Sequence, residues 1–350
     1  DATGPLSRSF RYRLGDAPDI LTTLERELST QVIDAPDLPF TGGVIGYLGY
    51  ECAQLTLPIQ LRHRSPYPDA YFIRPQSFLV YDHHRQVAHL CCLDGDGAQG
   101  LLDRLEEALE GGQVGSKGAA STSAGAWRTT DYLDRIQRAQ ELLHAGESYE
   151  VCLTDTYTAQ ATGDIYAALR RHNPAPYAAH LVFDGVEICS ASPERFLSVR
   201  DNHVEAKPIK GTIPAHQDPA LLRDDPKTRA ENLMIVDLLR NDLSRVCEPG
   251  TVRVPGLMNV ESYATVHQLV STITGQLRPG ATALDAIRAA FPPGSMTGAP
   301  KLRTCEIIDA REAGPRGVYS GIVGYLGYSG EADFSVVIRT AVRAGSEVTV

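Results

Sequence analysis

The sequence VYSGIVGYLGY at positions 318–328 and the sequence FSVVIRTAV at 334–342 predict two neighbouring strands. Both runs are rich in β-branched and aromatic residues, and the stretch between them, Ser329–Asp333, has the glycine and polar residues of a hairpin turn. The two strands are therefore expected to pair antiparallel in one sheet. A similar run, GVIGYLGY, covers Gly43–Tyr50, but the similarity goes no further and indicates a second tight strand without an internal duplication.

Helices and further strands are predicted along the rest of the chain. Apolar residues at helical spacing, often followed by glycine, mark the helices, and Thr282 with Asp285 three positions later marks a helix start. The predicted helices span 101–110, 130–145, 229–246, 282–291 and 299–313, and further strands span 42–50, 78–81, 87–90, 178–183 and 266–273. The runs at 78–81 and 87–90 are expected to form a hairpin.

Residues 111–126 divide the sequence into an N-terminal part, 1–110, and a larger C-terminal part, 127–350, which carries the candidate site residues. This stretch has glycine, alanine and serine with a single valine as its only large apolar residue, so it is predicted to be a flexible loop. The chain starts without Met and stops at Val350 within an alternating run, so we expect a fragment of a longer protein.

The composition argues against nucleic-acid and membrane binding. The net charge is −10, and no Lys/Arg run forms the basic patch that a nucleic-acid binder needs. No apolar run reaches the length of a membrane span. The seven cysteines are irregularly spaced, which favours a reducing cytoplasm over a disulfide framework.

The segment KPIKGT at 207–212 places a lysine where a nucleophile could form. Lys210 stands between an apolar residue and Gly211, which lets the backbone or a ligand come close. A lysine held there with little water can lose its proton near neutral pH and become nucleophilic. A solvated lysine beside a turn is the alternative interpretation.

Two acidic residues are candidates for acid–base or metal chemistry. Glu194 follows a strand-like run, a position suited to proton transfer, although an ion pair with Arg195 is an alternative. Glu231 lies on a dense apolar helix that also carries Asp242. Buried carboxylates need a partner, and Mg²⁺ with its preference for oxygen ligands is one; helix capping and salt bridging are the alternative.

Three further features fit either substrate binding or a structural role. The loop FPPGSMTGAPK at 291–301 runs into a helix start whose free N–H groups suit a carboxylate, although plain helix-start loops are common. Arg339, on the final predicted strand, could pair bidentately with a substrate carboxylate or form a structural ion pair. His267 lies on a predicted strand among apolar neighbours, where core histidines are more frequent than catalysts.

The order of these segments resembles the chorismate-utilising enzymes. That family includes anthranilate synthase component I, isochorismate and salicylate synthases, and aminodeoxychorismate synthase component I. A lysine at position 210 resembles the aminodeoxychorismate synthase branch of this family, because anthranilate synthases typically have alanine at the matching position. The matching stretches are GESYEVCLT at 146–154, SPERF at 192–196, PIKGT at 208–212, and residues 231–242, 267–274, 294–301 and 316–340.

The resemblance implies a fold. It predicts an α/β protein of the α+β type, a single large domain in which two mostly antiparallel sheets pack together with helices outside. Chorismate would bind between the sheets, and the stretch 111–126 would be a loop within this domain.

The resemblance also implies roles for individual residues. Lys210 would attack C2 of chorismate, Glu194 would act as the acid/base at the leaving C4 hydroxyl, and Glu231 would be a ligand of Mg²⁺. The remaining implied site residues are His267 near the C4 side of the ring, Gly211, Thr212 and Thr297 as substrate contacts, and Tyr319 and Arg339 at the enolpyruvyl carboxylate.

Ammonia would come from a glutamine amidotransferase, as a separate subunit or a domain fused upstream, because no cysteine lies in the small-residue elbow of a glutaminase nucleophile. The implied product is 4-amino-4-deoxychorismate. The nearest rival is anthranilate synthase component I or another enzyme that aminates or hydroxylates chorismate at C2. A rival of another class is a non-catalytic chorismate-binding protein.

Two departures from the family stand out. Many relatives have Gln and Asn where this sequence has Glu150 and Cys152. The family's glycine-rich loop and second acidic metal site lie beyond Val350, so the second metal ligand is expected outside this sequence.

Overall fold

The hairpin predicted at 318–342 lies in the middle of the larger of two sheets. The structure is a computed structural model, and it describes residues 8–29, 38–93, 98–110 and 118–350. Every strand pair in the described residues is antiparallel. The predicted antiparallel architecture is therefore confirmed.

The larger sheet has ten strands. Its order is β1 (Arg8–Tyr12), β3 (Ala70–Arg74), β2 (Gly43–Leu48), β16 (Ile322–Gly327), β17 (Ala332–Val336), β11 (Arg195–Arg200), β12 (His203–Lys207), β15 (Val266–Gln276) and β13 (Ile209–Pro214), with β14 (Arg253–Ser262) also on β15.

The second sheet has seven strands, and a separate hairpin stands apart from both sheets. The order of the second sheet is β6 (Ser121–Thr122), β8 (Tyr157–Thr162), β19 (Glu347–Thr349), β18 (Thr340–Ala344), β10 (Val186–Ser192) and β9 (Tyr177–Phe183), with β7 (Ala126–Trp127) on β8. The hairpin joins β4 (Ser77–Asp82) to β5 (Val87–Cys92), as the sequence predicts.

The described residues form eight α-helices, of which five lie close to the predicted spans and three, at 20–28, 165–172 and 219–224, were not predicted. They are α1 (Ile20–Leu28), α2 (Ala98–Glu110), α3 (Tyr132–His144), α4 (Ile165–His172), α5 (Pro219–Asp224), α6 (Pro226–Ser244), α7 (Ala283–Ala290) and α8 (Lys301–Arg311). The predicted start at Thr282 is confirmed, since the side chains of Thr282 and Asp285 each accept a hydrogen bond from the other's backbone N–H. In the described residues, none of the helices combines the length and the apolar character needed to cross a membrane.

The two similar glycine-rich runs are neighbours in the larger sheet. β2 pairs with β16 so that Gly46 lies opposite Gly324 and Leu48 opposite Ile322. A Cβ atom at Gly46 would meet the Tyr71 carbonyl oxygen at 2.1 Å, which no side chain could tolerate. The shared motif therefore serves close packing at adjacent central strands.

The predicted strand at 334–342 is wrong as a single strand. The chain leaves the larger sheet after Val336, turns at Arg339 with a φ of 49°, and enters the second sheet at Thr340. Apolar alternation continues through the crossover because Val337 is buried between the sheets, so the pattern does not reveal the break. Arg339 consequently lies on the crossover and not on a strand.

Each face of the larger sheet packs against a different layer. One face meets helices α6 and α7, where Phe334, Ile235 and Ile287 share a buried cluster. The other face meets the second sheet, where Val323 packs with Ile188 in another cluster. This arrangement confirms the predicted fold class of two packed antiparallel sheets with helices outside.

The predicted flexible loop, 111–126, contains two short strands in its second half. Residues 111–117 lie outside the described residues. Within 118–126, Ser121 and Thr122 pair with Thr162 and Ala161, and Ala126 begins the short strand β7. Backbone pairing to β8 needs no large apolar side chain, which is why composition did not predict these strands.

Candidate active site

Lys210 lies on β13 where this strand passes beneath helices α5 and α6. Its side chain is 13% exposed, and its Nζ contacts the carboxylate of Glu150 and donates to the Ser295 carbonyl oxygen at 3.3 Å. Gly211 has a φ of 83°, and a Cβ there would meet the Thr228 methyl group at 2.3 Å. The glycine thus lets β13 approach α6 and holds the preceding lysine inward.

Glu150 is brought to Lys210 by the loop that precedes α8. The backbone N–H groups of Tyr149 and Cys152 donate to the carbonyls of Ala299 and Thr297 at 2.8 and 2.9 Å. Gly298 makes this contact possible, because a Cβ there would lie 1.9 Å from the Glu150 carbonyl oxygen. Glu150 therefore sits on a clamped segment 60 residues before its lysine partner.

Glu194 lies at the turn between β10 and β11 and is buried. Burial raises its pKa to about 7, although hydrogen bonds with Ser295 and Ile209 and the charge of Lys210 oppose the shift. A carboxyl group with this pKa can hold or release a proton near neutral pH. The structure thus places a titratable acid in the electrostatic surroundings of Lys210.

Lys210 is charged in the absence of substrate. Burial opposes the ammonium charge, but the adjacent Glu150 carboxylate outweighs burial and raises the pKa of Lys210 above its ordinary value. The expectation that partial desolvation alone frees the amine is therefore wrong for the ligand-free protein. The physical reason is a carboxylate partner that the local sequence around Lys210 does not reveal.

Glu231 lies in the second turn of α6, one-third exposed, with Lys227 at 3.7 Å. Burial raises the pKa of Glu150 and the charge of Glu231 adds to this shift, which is consistent with Glu231 lying on the same side of the site. A weakly paired, accessible carboxylate is the type of oxygen donor that Mg²⁺ takes together with water and substrate oxygens. Glu231 therefore fits a metal ligand. Asp242, at the other end of α6, instead forms an ion pair with Lys301 at 2.7 Å.

Three predicted substrate contacts lie at different depths. Tyr319 is partly buried, and burial raises the pKa of its hydroxyl, which hydrogen bonds with Thr154 and Ser320. Thr297 is fully buried and donates its hydroxyl to the Pro293 carbonyl at 3.2 Å. Thr212 is exposed and accepts a long 3.4 Å hydrogen bond from Gln268. Their predicted roles stay predictions.

His267 and Arg339 make contacts away from the Lys210 cluster. The His267 ring nitrogens contact the Ser262 hydroxyl at 2.8 Å and the Ala215 carbonyl at 3.0 Å. Arg339 is exposed and donates to the Asn173 side chain at 3.1 Å. The described contacts thus do not bring these two residues to Lys210, and their roles at the substrate also stay predictions.

Sequence reasoning missed two parts of the site. Ser295 bridges the cluster, since its hydroxyl hydrogen bonds with Glu194 and its carbonyl accepts from Lys210. The Glu150–Lys210 pair was also missed. The only signal for it was an acidic residue at a position where many relatives have Gln.

Comparisons with known proteins find relatives that are similar over most of this chain. Aminodeoxychorismate synthase of Streptomyces griseus is 41% identical over 392 positions, covering 99% of this chain and 53% of that protein. The chain thus spans about half the length of that relative. Aminodeoxychorismate synthase component 1 of Klebsiella aerogenes is 40% identical, with 93% of this chain and 74% of its own length covered.

Structure comparison identifies the same fold. The crystal structure of anthranilate synthase component I from Streptococcus pneumoniae TIGR4 matches with a TM-score of 0.88 and 29% identity, covering 100% of this chain and 85% of that chain. The family resemblance predicted from the sequence is confirmed. The chain belongs to the family of chorismate binding enzymes, whose family model matches residues 7–350.

Proposed function

We propose that this chain aminates chorismate at C4 to give 4-amino-4-deoxychorismate, as the chorismate-aminating part of an aminodeoxychorismate synthase. The observation that carries the proposal is the buried amine of Lys210 beside Glu150 and in the field of Glu194. The names of the Streptomyces and Klebsiella relatives support the same activity.

The proposed reaction uses Lys210 as a nucleophile. Its neutral amine attacks C2, the ring double bond shifts, and the C4 hydroxyl leaves as water with a proton from Glu194. Ammonia then attacks C4, the double bond returns, and the C2–N bond to Lys210 breaks. The new ammonium group gives a proton back to Glu194, so the sum is chorismate plus ammonia to product plus water.

The pKa of Glu194 suits this double use. Hydroxide is a poor leaving group, so an acid must protonate it as the C4–O bond breaks. A carboxyl group with a pKa of about 7 still holds its proton near neutral pH, whereas an exposed glutamate would not. The same group can then act as the base in the second half of the reaction.

We further propose Glu231 as a ligand of Mg²⁺ when substrate is bound. The ion would neutralise the substrate carboxylate and draw electron density from the ring. The accessible, loosely paired carboxylate of Glu231 supports this assignment.

The ammonia source proposed here is a glutamine amidotransferase, as a partner subunit or a fused domain. The "component 1" in the name of the Klebsiella relative supports a second component.

All seven cysteines are free thiols, which supports a reducing compartment such as the cytoplasm.

The test is incubation of the full-length protein with chorismate, MgCl₂ and an ammonium salt. We expect a product that becomes 4-aminobenzoate only after an aminodeoxychorismate lyase is added. Direct appearance of fluorescent anthranilate would overturn the assignment and favour the second candidate, an anthranilate synthase, which the structural match to that enzyme makes the nearest alternative. Chorismate binding without turnover would instead indicate a binding protein.

A further inference from the structure

Lys210, the proposed nucleophile, contacts an acidic residue, Glu150, that has no part in the reaction proposed above. Glu150 Oε1 contacts Lys210 Nζ, and the Glu150 side chain is only 17% exposed. Its other oxygen, Oε2, is buried and has no hydrogen-bond partner among the described residues. An unsatisfied carboxylate oxygen in a buried site is costly unless it has a further use.

The position of Glu150 is fixed by its backbone. Ser148 is buried and donates to the Glu150 carbonyl at 2.8 Å, while the flanking N–H groups bind the loop at 297–299. The carbonyl of Glu150 rests against Gly298, where any side chain would clash. The backbone of Glu150 therefore cannot move away from Lys210 without disturbing the loop that also carries Ser295.

Charged and titratable groups surround the pair from several elements. Glu194 and Cys152 act on Lys210, and Glu231 and Lys227 of α6 act on Glu150. Within the described parts of the chain, the carboxylate in direct contact with Lys210 is that of Glu150. Glu150 is consequently the nearest acceptor for a proton leaving the amine.

We propose that Glu150 is the positioning residue of Lys210 and that it takes the lysine proton when substrate binds. This proposal rests on the proposed nucleophilic role of Lys210. In the transfer, an N–H bond of the ammonium breaks, an O–H bond forms on Glu150, and the lone pair stays on nitrogen. The proton remains on Glu150 while the C2 adduct exists and returns when the amine is released, so each cycle balances.

Such a transfer removes the obstacle that the ammonium charge of Lys210 presents to attack on the ring. An ammonium ion has no lone pair and cannot attack C2. Release of its proton to water from a largely buried site would require the pH to approach a raised pKa. Transfer within the pair avoids this, because the two groups share one proton in both states.

The first experiment measures the free protein and needs no catalysis. Acetic anhydride labelling of Lys210, followed by mass spectrometry from pH 6 to 11, gives the pH at which its amine becomes reactive. In Glu150→Gln, this midpoint should fall by at least one pH unit, because the stabilising charge is lost. An unchanged midpoint would show that the pair does not exist in solution and would overturn the proposal.

The second experiment is the pH profile of kcat with saturating chorismate and ammonia. In the unmodified protein, kcat should be nearly level between pH 6 and 7, because the lysine proton moves within the pair; titration of Glu194, with its pKa of about 7, should lower kcat by no more than about twofold in this range. In Glu150→Gln, the proton must reach solvent, so kcat should fall about tenfold per pH unit below pH 8, with KM for chorismate changed less than threefold. Glu150→Asp should restore the level profile in part.

Glu147→Gln is the matched control. Glu147 belongs to the same segment but is 42% exposed and pairs with Arg303 on the surface, so its profile should equal that of the unmodified protein. A level profile in Glu150→Gln would overturn the proposal. If the unmodified protein shows no C4 amination, the proposed function fails, and the labelling midpoint still decides whether Glu150 controls the amine.

Discussion

Two lysine–carboxylate pairs with little exposure to solvent differ in how completely their hydrogen-bonding groups are satisfied. In the Lys301–Asp242 pair, the side chains are 8% and 5% exposed, and Lys301 also donates to the Ala290 carbonyl. In the Lys210–Glu150 pair, the side chains are 13% and 17% exposed, and Glu150 Oε2 lacks a partner. The residue types are nearly the same, but the surroundings are not.

This difference suggests different roles: the Lys301–Asp242 pair is structural, and the Lys210–Glu150 pair takes part in chemistry. Lys301 starts α8, Asp242 lies near the end of α6 and Ala290 ends α7, so the first pair ties three helices together with its hydrogen bonds made. Around Lys210, three acidic side chains (Glu150, Glu194 and Glu231) stand against two lysines, Lys210 itself and Lys227. Excess acid and an unused oxygen are what a site that receives a ligand and moves protons should show.

The largest effect should come from removing the chemical lysine. Lys210→Ala is expected to lower C4 amination by roughly 10⁴-fold or more, because no neighbouring group can replace the nucleophile. The measurement is the initial rate of aminodeoxychorismate formation, with mass spectrometry for loss of the covalent adduct. The matched control is Lys207→Ala, a half-buried lysine that pairs with Glu261 at 2.6 Å and should stay within a few-fold of the unmodified rate. Full activity in Lys210→Ala would show that Lys210 is not the nucleophile, and the contrast between the two pairs would then be wrong.

Removing Lys301, the lysine of the structural pair, should lower the free energy of unfolding. Lys301→Met leaves the Asp242 carboxylate buried without its partner, and we expect a loss of about 3–5 kcal/mol in the free energy of unfolding. The double variant Lys301→Met/Asp242→Leu should recover most of this loss, because it removes both charges. Urea denaturation followed by circular dichroism measures both values. A single variant as stable as the parent would show that the pair does not hold the helices.

Local signals explain what the sequence did and did not predict about these regions. The start of α7 at Thr282 was predicted because an N-cap is a contact between near neighbours. The strand at 334–342 was predicted as continuous because apolar alternation carries no mark of the point where a chain changes sheets. Lys210 stood out by its motif, but its partner did not, since Glu150 is 60 residues away and reaches it through a loop folded on Gly298.

The buried carboxyl group of Glu194 should make the stability of the protein depend on pH. The pKa of Glu194 is raised from an ordinary value of 4.5 to about 7, so the folded state binds a proton that the unfolded state releases in this range. Its favourable contribution is complete below pH 4.5 and is lost as the pH rises through 7.

Glu194→Gln should therefore raise the free energy of unfolding by about 3 kcal/mol at pH 8 and leave it unchanged at pH 4. Denaturation curves of variant and parent at the two pH values measure this difference. Glu51, whose pKa is also raised to about 7 by burial, contributes equally to both proteins and cancels. A gain of equal size at both pH values would mean that the glutamine packs better and that ionisation has no part in it.

The smallest effect should come from a lysine–carboxylate pair at the surface. Lys227 is 83% exposed and lies 3.7 Å from Glu231, so water screens the two charges and the side chains keep most of their freedom. Lys227→Gln should change the free energy of unfolding by less than about 0.5 kcal/mol. The same urea experiment measures it beside the Lys301 variants. A loss as large as that of Lys301→Met would show that exposure does not rank these pairs, and the distinction between the two buried pairs would then need another physical basis.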